Sequence, residues 1–173
     1  MICHPKTPCL AVQMLQATAE LNTNGSLKLS YILKAQLEDL IIPKKQRASF
    51  VDGLWENTCF EAFICVEGAR TYYEYNFSPS TQWAAYGFGD YRKRLEWSAS
   101  EQPIIRVNQS DNQLRIDAIV AACDLPDRLD NKPLQLGLTA VIEAADGSKS
   151  YWALEHPLES PDFHHKDGFI LVL

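Results

Sequence analysis

The residue types best suited to recognising a ligand are concentrated between Leu54 and Tyr91, which holds two of the four tryptophans and five of the seven tyrosines of the 173-residue chain. Indole and phenol rings stack on the apolar C–H faces of sugars, while carboxylates, amides, Arg and His at the ring edge exchange hydrogen bonds with hydroxyls. Trp55, Trp83 and Trp152, together with Glu61, Asn76 and Glu143, provide that combination. The carboxylates admit a second chemistry, because Glu61 and Glu143 have the residue types of a glycosidase acid pair. Nothing in the sequence fixes their separation, and a chain of this size reads as a binder rather than a cleaving enzyme.

The histidines offer another set. His156, His164 and His165 fall in EHPLESPDFHH beside Glu155 and Asp162, all metal-ligand types. Adjacent His164 and His165 point to opposite sides of an extended segment, so at most one faces inward and no metal is expected. Haem takes axial ligands such as Met and His. Met14 is the only internal methionine, and its place in a strand-like run suits core packing equally well. The five cysteines (Cys3, Cys9, Cys59, Cys65, Cys123) contain no C-x-x-C and, with no export signal visible, read as free thiols. A nucleophile elbow, a P-loop, a dinucleotide fingerprint and a zinc-helix motif are all absent from the sequence.

Strands must position these side chains. Cys59 to Val66 and Thr71 to Ser78 lack Pro, are rich in aromatic and branched residues, and flank Glu67-Gly68-Ala69-Arg70, the pattern of a β-hairpin. With Gly68-Ala69 as the loop, Cys65 stands opposite Tyr72, Phe63 opposite Glu74, Glu61 opposite Asn76 and Cys59 opposite Ser78, all on one face. The other face carries Phe60, Ala62, Ile64 and Val66 against Tyr73, Tyr75 and Phe77. One face is therefore core-like, and the other sets an acid and an amide into an apolar surface.

Leu134 to Ala144 also alternates and precedes Asp146-Gly147. A two-residue Asp-Gly loop puts Val141 opposite Trp152 and Glu143 opposite Ser150, making Trp152 and Glu143 diagonal neighbours on one face. Asn22 to Ser26 separate two further alternating runs, Ala11–Glu20 and Leu27–Ala35. Trp83–Phe88, Ile104–Asn108, Leu114–Ala121 and Phe169–Leu173 complete the strands, and Asp90 to Gln102 read as a surface loop. A turn of helix is expected before Pro43. Roughly ten short strands with frequent turn signals and little helical periodicity predict an all-β, antiparallel, jelly-roll-like sandwich, a single domain over residues 1–173.

A formal net charge of −6 and a pI near 5.2 give no broad basic field, so neither nucleic acid nor an anionic membrane is an expected partner. The run Lys44-Lys45-Gln46-Arg47 is too short to change that. With no secretion signal and no membrane-length apolar run, the expected location is the cytoplasm.

LWENTCFEAF, YYEYNFSPSTQWAAYGFGDYR and SYWALEHPLESPDFH resemble the signature segments of bacterial DOMON-like domain proteins, which are similar to family 9 carbohydrate-binding modules. The likeness runs from near Leu10 to Leu173. It implies a β-sandwich with a concave ligand site, in a superfamily whose members bind sugars or haem. Carried over residue by residue, it implies Trp55 and Trp152 as stacking platforms, Glu61 and Asn76 as hydroxyl partners, and Arg92, Glu143 and His164 as further contacts. The chain departs from the haem-binding pattern in lacking a strong Met–His pair, and none of its acidic loops has the spacing of a structural calcium site. No required cofactor is expected. The sugar modules are secreted appendages of polysaccharide-degrading enzymes, whereas no catalytic domain is visible here. A small sugar or sugar-containing metabolite is the leading expectation for the ligand, with a haem-binding domain or a protein-interaction domain as alternatives.

Overall fold

Period-two alternation decides which residues meet. In β2 (Val12–Leu21), β3 (Leu27–Ala35), β8 (Ile104–Ser110) and β9 (Gln113–Val120), one row of side chains faces inward, exemplified by fully buried Leu27, Leu29, Tyr31 and Leu33 on β3. These four strands pair in the order β2-β3-β9-β8. A larger sheet contains β1 (Ile2–Cys3), β4 (Cys59–Val66), β5 (Tyr72–Phe77), β6 (Trp83–Asp90), β7 (Lys93–Arg94), β10 (Leu134–Glu143), β11 (Lys149–Ala153) and β12 (Leu171–Val172). Its order is β1-β11-β10-β4-β5-β6-β7, and β12 shares with β11 the edge of β10 that β4 leaves free. The computed structural model describes residues 1–128 and 132–173, and within them the expected antiparallel β-sandwich is present, with twelve strands.

The sheets bury their apolar faces on each other, Phe60, Ile64, Tyr75 and Leu138 from one meeting the inward rows of β3 and β9 from the other. Tyr31 spans the gap, its hydroxyl donating to the Glu61 carbonyl at 2.7 Å.

Three hairpins use one loop geometry. Asn22, Ala144 and Ser78 each donate a backbone N–H to the carbonyl four residues on, and each accepts one from the residue three on. That third residue is left-handed in every case: Gly25 (φ 80°), Gly147 (φ 84°) and Thr81 (φ 73°). This is the three-residue loop closed by a left-handed position. Thr81 holds it against the preference of a β-branched residue, with its hydroxyl donating to the Gln46 carbonyl at 2.9 Å.

The loop length corrects one expectation. Asp146 is not left-handed, so Asp146-Gly147 is not a two-residue turn, and Ala145 joins it in the loop. The pairing becomes Ala140 opposite Trp152, Val141 opposite Tyr151 and Glu143 opposite Lys149. A one-residue slip turns every side chain to the other face. Trp152 therefore lies in the inter-sheet core, its indole N–H donating to Ser150 Oγ at 2.9 Å, and it does not share a face with Glu143.

The β4–β5 register is as expected, from Phe60 opposite Phe77 to Cys65 opposite Tyr72. All of β4 is buried on both faces. The outer face is covered by Val51–Trp55 and by the segment from Phe163 to Phe169, over a second apolar layer of Phe63, Cys65, Tyr72 and Phe88. Phe169 stacks on Phe63 with centroids 5.7 Å apart. Gly137 makes this approach feasible, because a Cβ there would lie 2.7 Å from Phe169 Cδ1. All five cysteines are free, and Leu37–Asp39 forms the short helical turn before Pro43. No helix among the described residues is long and apolar enough to cross a membrane.

Candidate functional site

Where the covering segments part above the outer face of the larger sheet, they leave a cavity of about 450 Å³. That lies within the usual range for small-molecule pockets. Its walls combine Trp55 from the Leu54–Glu56 turn, Phe63 from β4, Phe88 from β6, Tyr151 from β11, and Phe163 and His164 from the C-terminal segment. Glu61, Glu74, Arg92, Arg94, Lys149 and Glu56 supply the charges.

Glu61 occupies the middle of the sheet, opposite Asn76 on β5 and Thr139 on β10. It is 2% exposed. The Thr139 hydroxyl donates to its Oε2 at 3.3 Å, while Oε1 is buried with no hydrogen-bond partner. Burial pushes the Glu61 carboxyl well above the usual carboxylate range, the neighbouring Glu74 adds to this, and the Thr139 hydrogen bond opposes it.

Glu74, 6% exposed, receives the Asn76 side-chain amide on Oε1 at 2.6 Å. Burial raises its titration too, with Asn76, Arg94 and Arg92 opposing. Asn76 is itself fully buried and its Oδ1 faces the Cys59 thiol at 3.4 Å, so it orients Glu74 from beneath the cavity floor.

His164 is pinned from three sides. It packs on Phe63 and Phe88 at centroid distances of 5.1 and 5.0 Å, and its Nδ1 lies 2.8 Å from the Tyr72 hydroxyl. The Arg92 backbone N–H donates to that hydroxyl at 3.0 Å, so Tyr72 ties the imidazole to the Arg92 backbone. Burial, then Arg92 and Arg94, pull the imidazole down to about 4, with Asp162 opposing. The ring is thus neutral at pH 7, and its Nε2 faces Glu74 Oε2 at 3.7 Å. His165 is outside the lining and accepts from the Asp167 N–H, capping the turn Lys166–Gly168.

Arg92 clamps the wall to the sheet. Its backbone is left-handed (φ 54°), and its guanidinium donates to Asp162 Oδ1 at 2.9 Å, the oxygen that also accepts the His164 N–H. Burial works against ionisation of Asp162, yet hydrogen bonds from Tyr91 and Arg92 hold its carboxyl below the usual range. Arg94 places its guanidinium carbon over Tyr86, 4.0 Å from the ring centroid, and Trp55 meets the same ring edge-on at 5.6 Å.

Of the seven residues expected at a site, Trp55, Glu61, Arg92 and His164 line this cavity. Asn76 lies beneath it, Glu143 sits on the same sheet face outside the lining, and Trp152 faces the core. Trp83, also considered at the sequence level, packs in the core too. Among the lining residues missed were Glu74, Arg94, Lys149, Tyr151 and Phe163. Glu74 was legible, two residues before Asn76 on the face that carries Glu61, and Tyr151 follows from the corrected register. Met14, weighed as a haem ligand from the sequence, belongs to β2 of the smaller sheet and is not among the cavity's residues.

No protein-family model and no curated protein matches the sequence. The chain is similar to the solved structure of a "putative carbohydrate-binding protein" from Bacteroides uniformis, with a TM-score of 0.60 and 16% identity, over 90% of this chain and 76% of that one. The two chains share a fold.

Proposed function

We propose that the chain is a single, non-catalytic binding domain that takes a small carbohydrate or sugar-containing metabolite in this cavity, and that it works in the cytoplasm. The observation that carries this reading is Glu61 Oε1, a buried acceptor without a partner, on the floor of a cavity of about 450 Å³. A buried polar atom left unpaired is costly, and a ligand hydroxyl would satisfy it. Trp55 and Tyr151 provide ring faces for the apolar side of a sugar, while Arg94 and Lys149 provide donors at the rim. The solved structure sharing the fold is described as carbohydrate-binding, which agrees with this choice of ligand.

Calorimetric titration against a panel of mono- and disaccharides tests the reading. At least one member is expected to bind more tightly than millimolar, and Trp55→Ala to weaken it about tenfold, the loss of one stacked aromatic contact. Absence of binding across the panel, or indifference to Trp55→Ala, overturns it.

A further inference from the structure

Resting on that reading, the choice among sugars follows from which charges in the cavity are already matched. Glu61 and Glu74 are two buried carboxyl groups on one sheet face, and their polar surroundings are incomplete. Glu61 Oε1 has no partner, and Glu74 Oε2 faces His164 Nε2 at 3.7 Å, too far for a hydrogen bond. Two of the cations nearby are turned to other partners. Arg92 is bonded to Asp162 at 2.9 Å, and Arg94 lies on Tyr86 and 3.8 Å from Asp52, while Lys149, at the rim opposite Glu143 in the β10–β11 ladder, makes no ion pair with either carboxyl. His164 is held neutral between Tyr72 and the aromatic layer. Neighbouring carboxyls without a counter-ion keep a proton rather than ionise together.

An ammonium group supplies what this floor lacks: one positive charge, three N–H donors and affinity for ring faces. We propose that the cavity selects a sugar bearing a free primary amine, its ammonium held by Glu61 Oε1 and Glu74 Oε2 within the walls of Trp55, Tyr151 and Phe163. The ammonium takes the place of the carboxyl proton, which leaves to solvent. The ionisable groups that face the pair are Cys59 on β4, Tyr72 on β5, Glu56, Lys149 and Tyr151 at the rim, Arg92 just before β7 and Arg94 on it, and Asp162 and His164 on the wall.

Titration calorimetry of the full chain at pH 7, with glucosamine, galactosamine and mannosamine, their N-acetyl forms and the parent hexoses, decides the matter. Runs in two buffers of different ionisation enthalpy report proton release. At least one amine is expected to bind about tenfold or more tighter than both its N-acetyl form and its parent, the order of effect of a charged hydrogen bond in a desolvated site, with protons released. Glu61→Gln is expected to bring the amine-to-parent ratio within about threefold. Hexoses that bind as well as their amines, or amine binding without proton release, overturn the amine assignment and leave the sugar-binding reading standing. No binding by any of the nine overturns the amine assignment, and the saccharide panel above decides the broader reading separately. The comparison on the unmodified chain decides the question even if Glu61→Gln does not fold.

Discussion

On its inner face β4 presents Phe60, Ala62, Ile64 and Val66; on its outer face the same strand presents Cys59, Glu61, Phe63 and Cys65, and both rows are buried. The inner row meets another sheet, whose regular side-chain rows interdigitate to near-crystalline density. The outer row meets two irregular segments, Val51–Trp55 and Phe163–Phe169, which bring backbone and polar groups to the surface they cover. Glu61, Glu74, Asn76 and Thr139 are buried on that side, and there a cavity of about 450 Å³ remains. The difference teaches where a sandwich can hold a ligand: a sheet sealed by a sheet makes a core, and a sheet roofed by loops makes a room.

Truncation should break the symmetry of burial first. Phe60→Ala on the inner face is expected to cost about 4 kcal/mol, and Phe163→Ala on the roof about 1 kcal/mol, measured by urea denaturation. Equal losses would mean that the roof is as much core as the sheet interface.

Acid should act on the outer face. His164 titrates near 4 when folded and near 6.5 when unfolded, so the stability of its neutral form is present above 6.5 and lost as pH falls through the folded value, by about 3 kcal/mol in all. Glu61 acts with the opposite sign. Its folded carboxyl titrates well above its unfolded value near 4.5, so its contribution is present below that value and lost as pH rises through the folded one. Urea midpoints between pH 4 and pH 8 are expected to lose their acid limb in His164→Gln and to fall less steeply towards pH 8 in Glu61→Gln.

The smallest effect sharpens the comparison at one atom. Gly137→Ala forces Phe169 off the outer face and is expected to cost about 1 to 2 kcal/mol in urea denaturation, while Ala140→Gly, on the inner face of the same strand, leaves the roof in place.

Much of this asymmetry was legible in the residue order. The β4–β5 register followed from alternation and a short Gly-containing loop, and it placed Glu61, Asn76 and Glu74 on one face. The β10–β11 register did not follow, because an Asp-Gly pair serves both two- and three-residue loops, and only the backbone angle of Asp146 tells them apart. That single residue moved Trp152 to the core and Tyr151 to the cavity. The roof was least legible. Phe163, His164 and Arg92 act through positions that no period describes: a left-handed arginine, a carboxylate shared between a guanidinium and a backbone N–H, and a ring wedged between two phenylalanines.

The roof also has a place in time. Glu61, Phe63, Tyr72, Glu74 and Phe88 leave the ribosome well before Asp162, Phe163, His164 and Phe169. During synthesis the sandwich can pair its strands through β9 while the aromatic outer face still waits for its cover. For that interval the future floor is an open, sticky surface of the kind that chaperones recognise and that drives misassembly. Arrival of Asp162–Phe169 covers that surface and completes the cavity in one event, so the step that hides the sticky face is the same step that shapes the room above it.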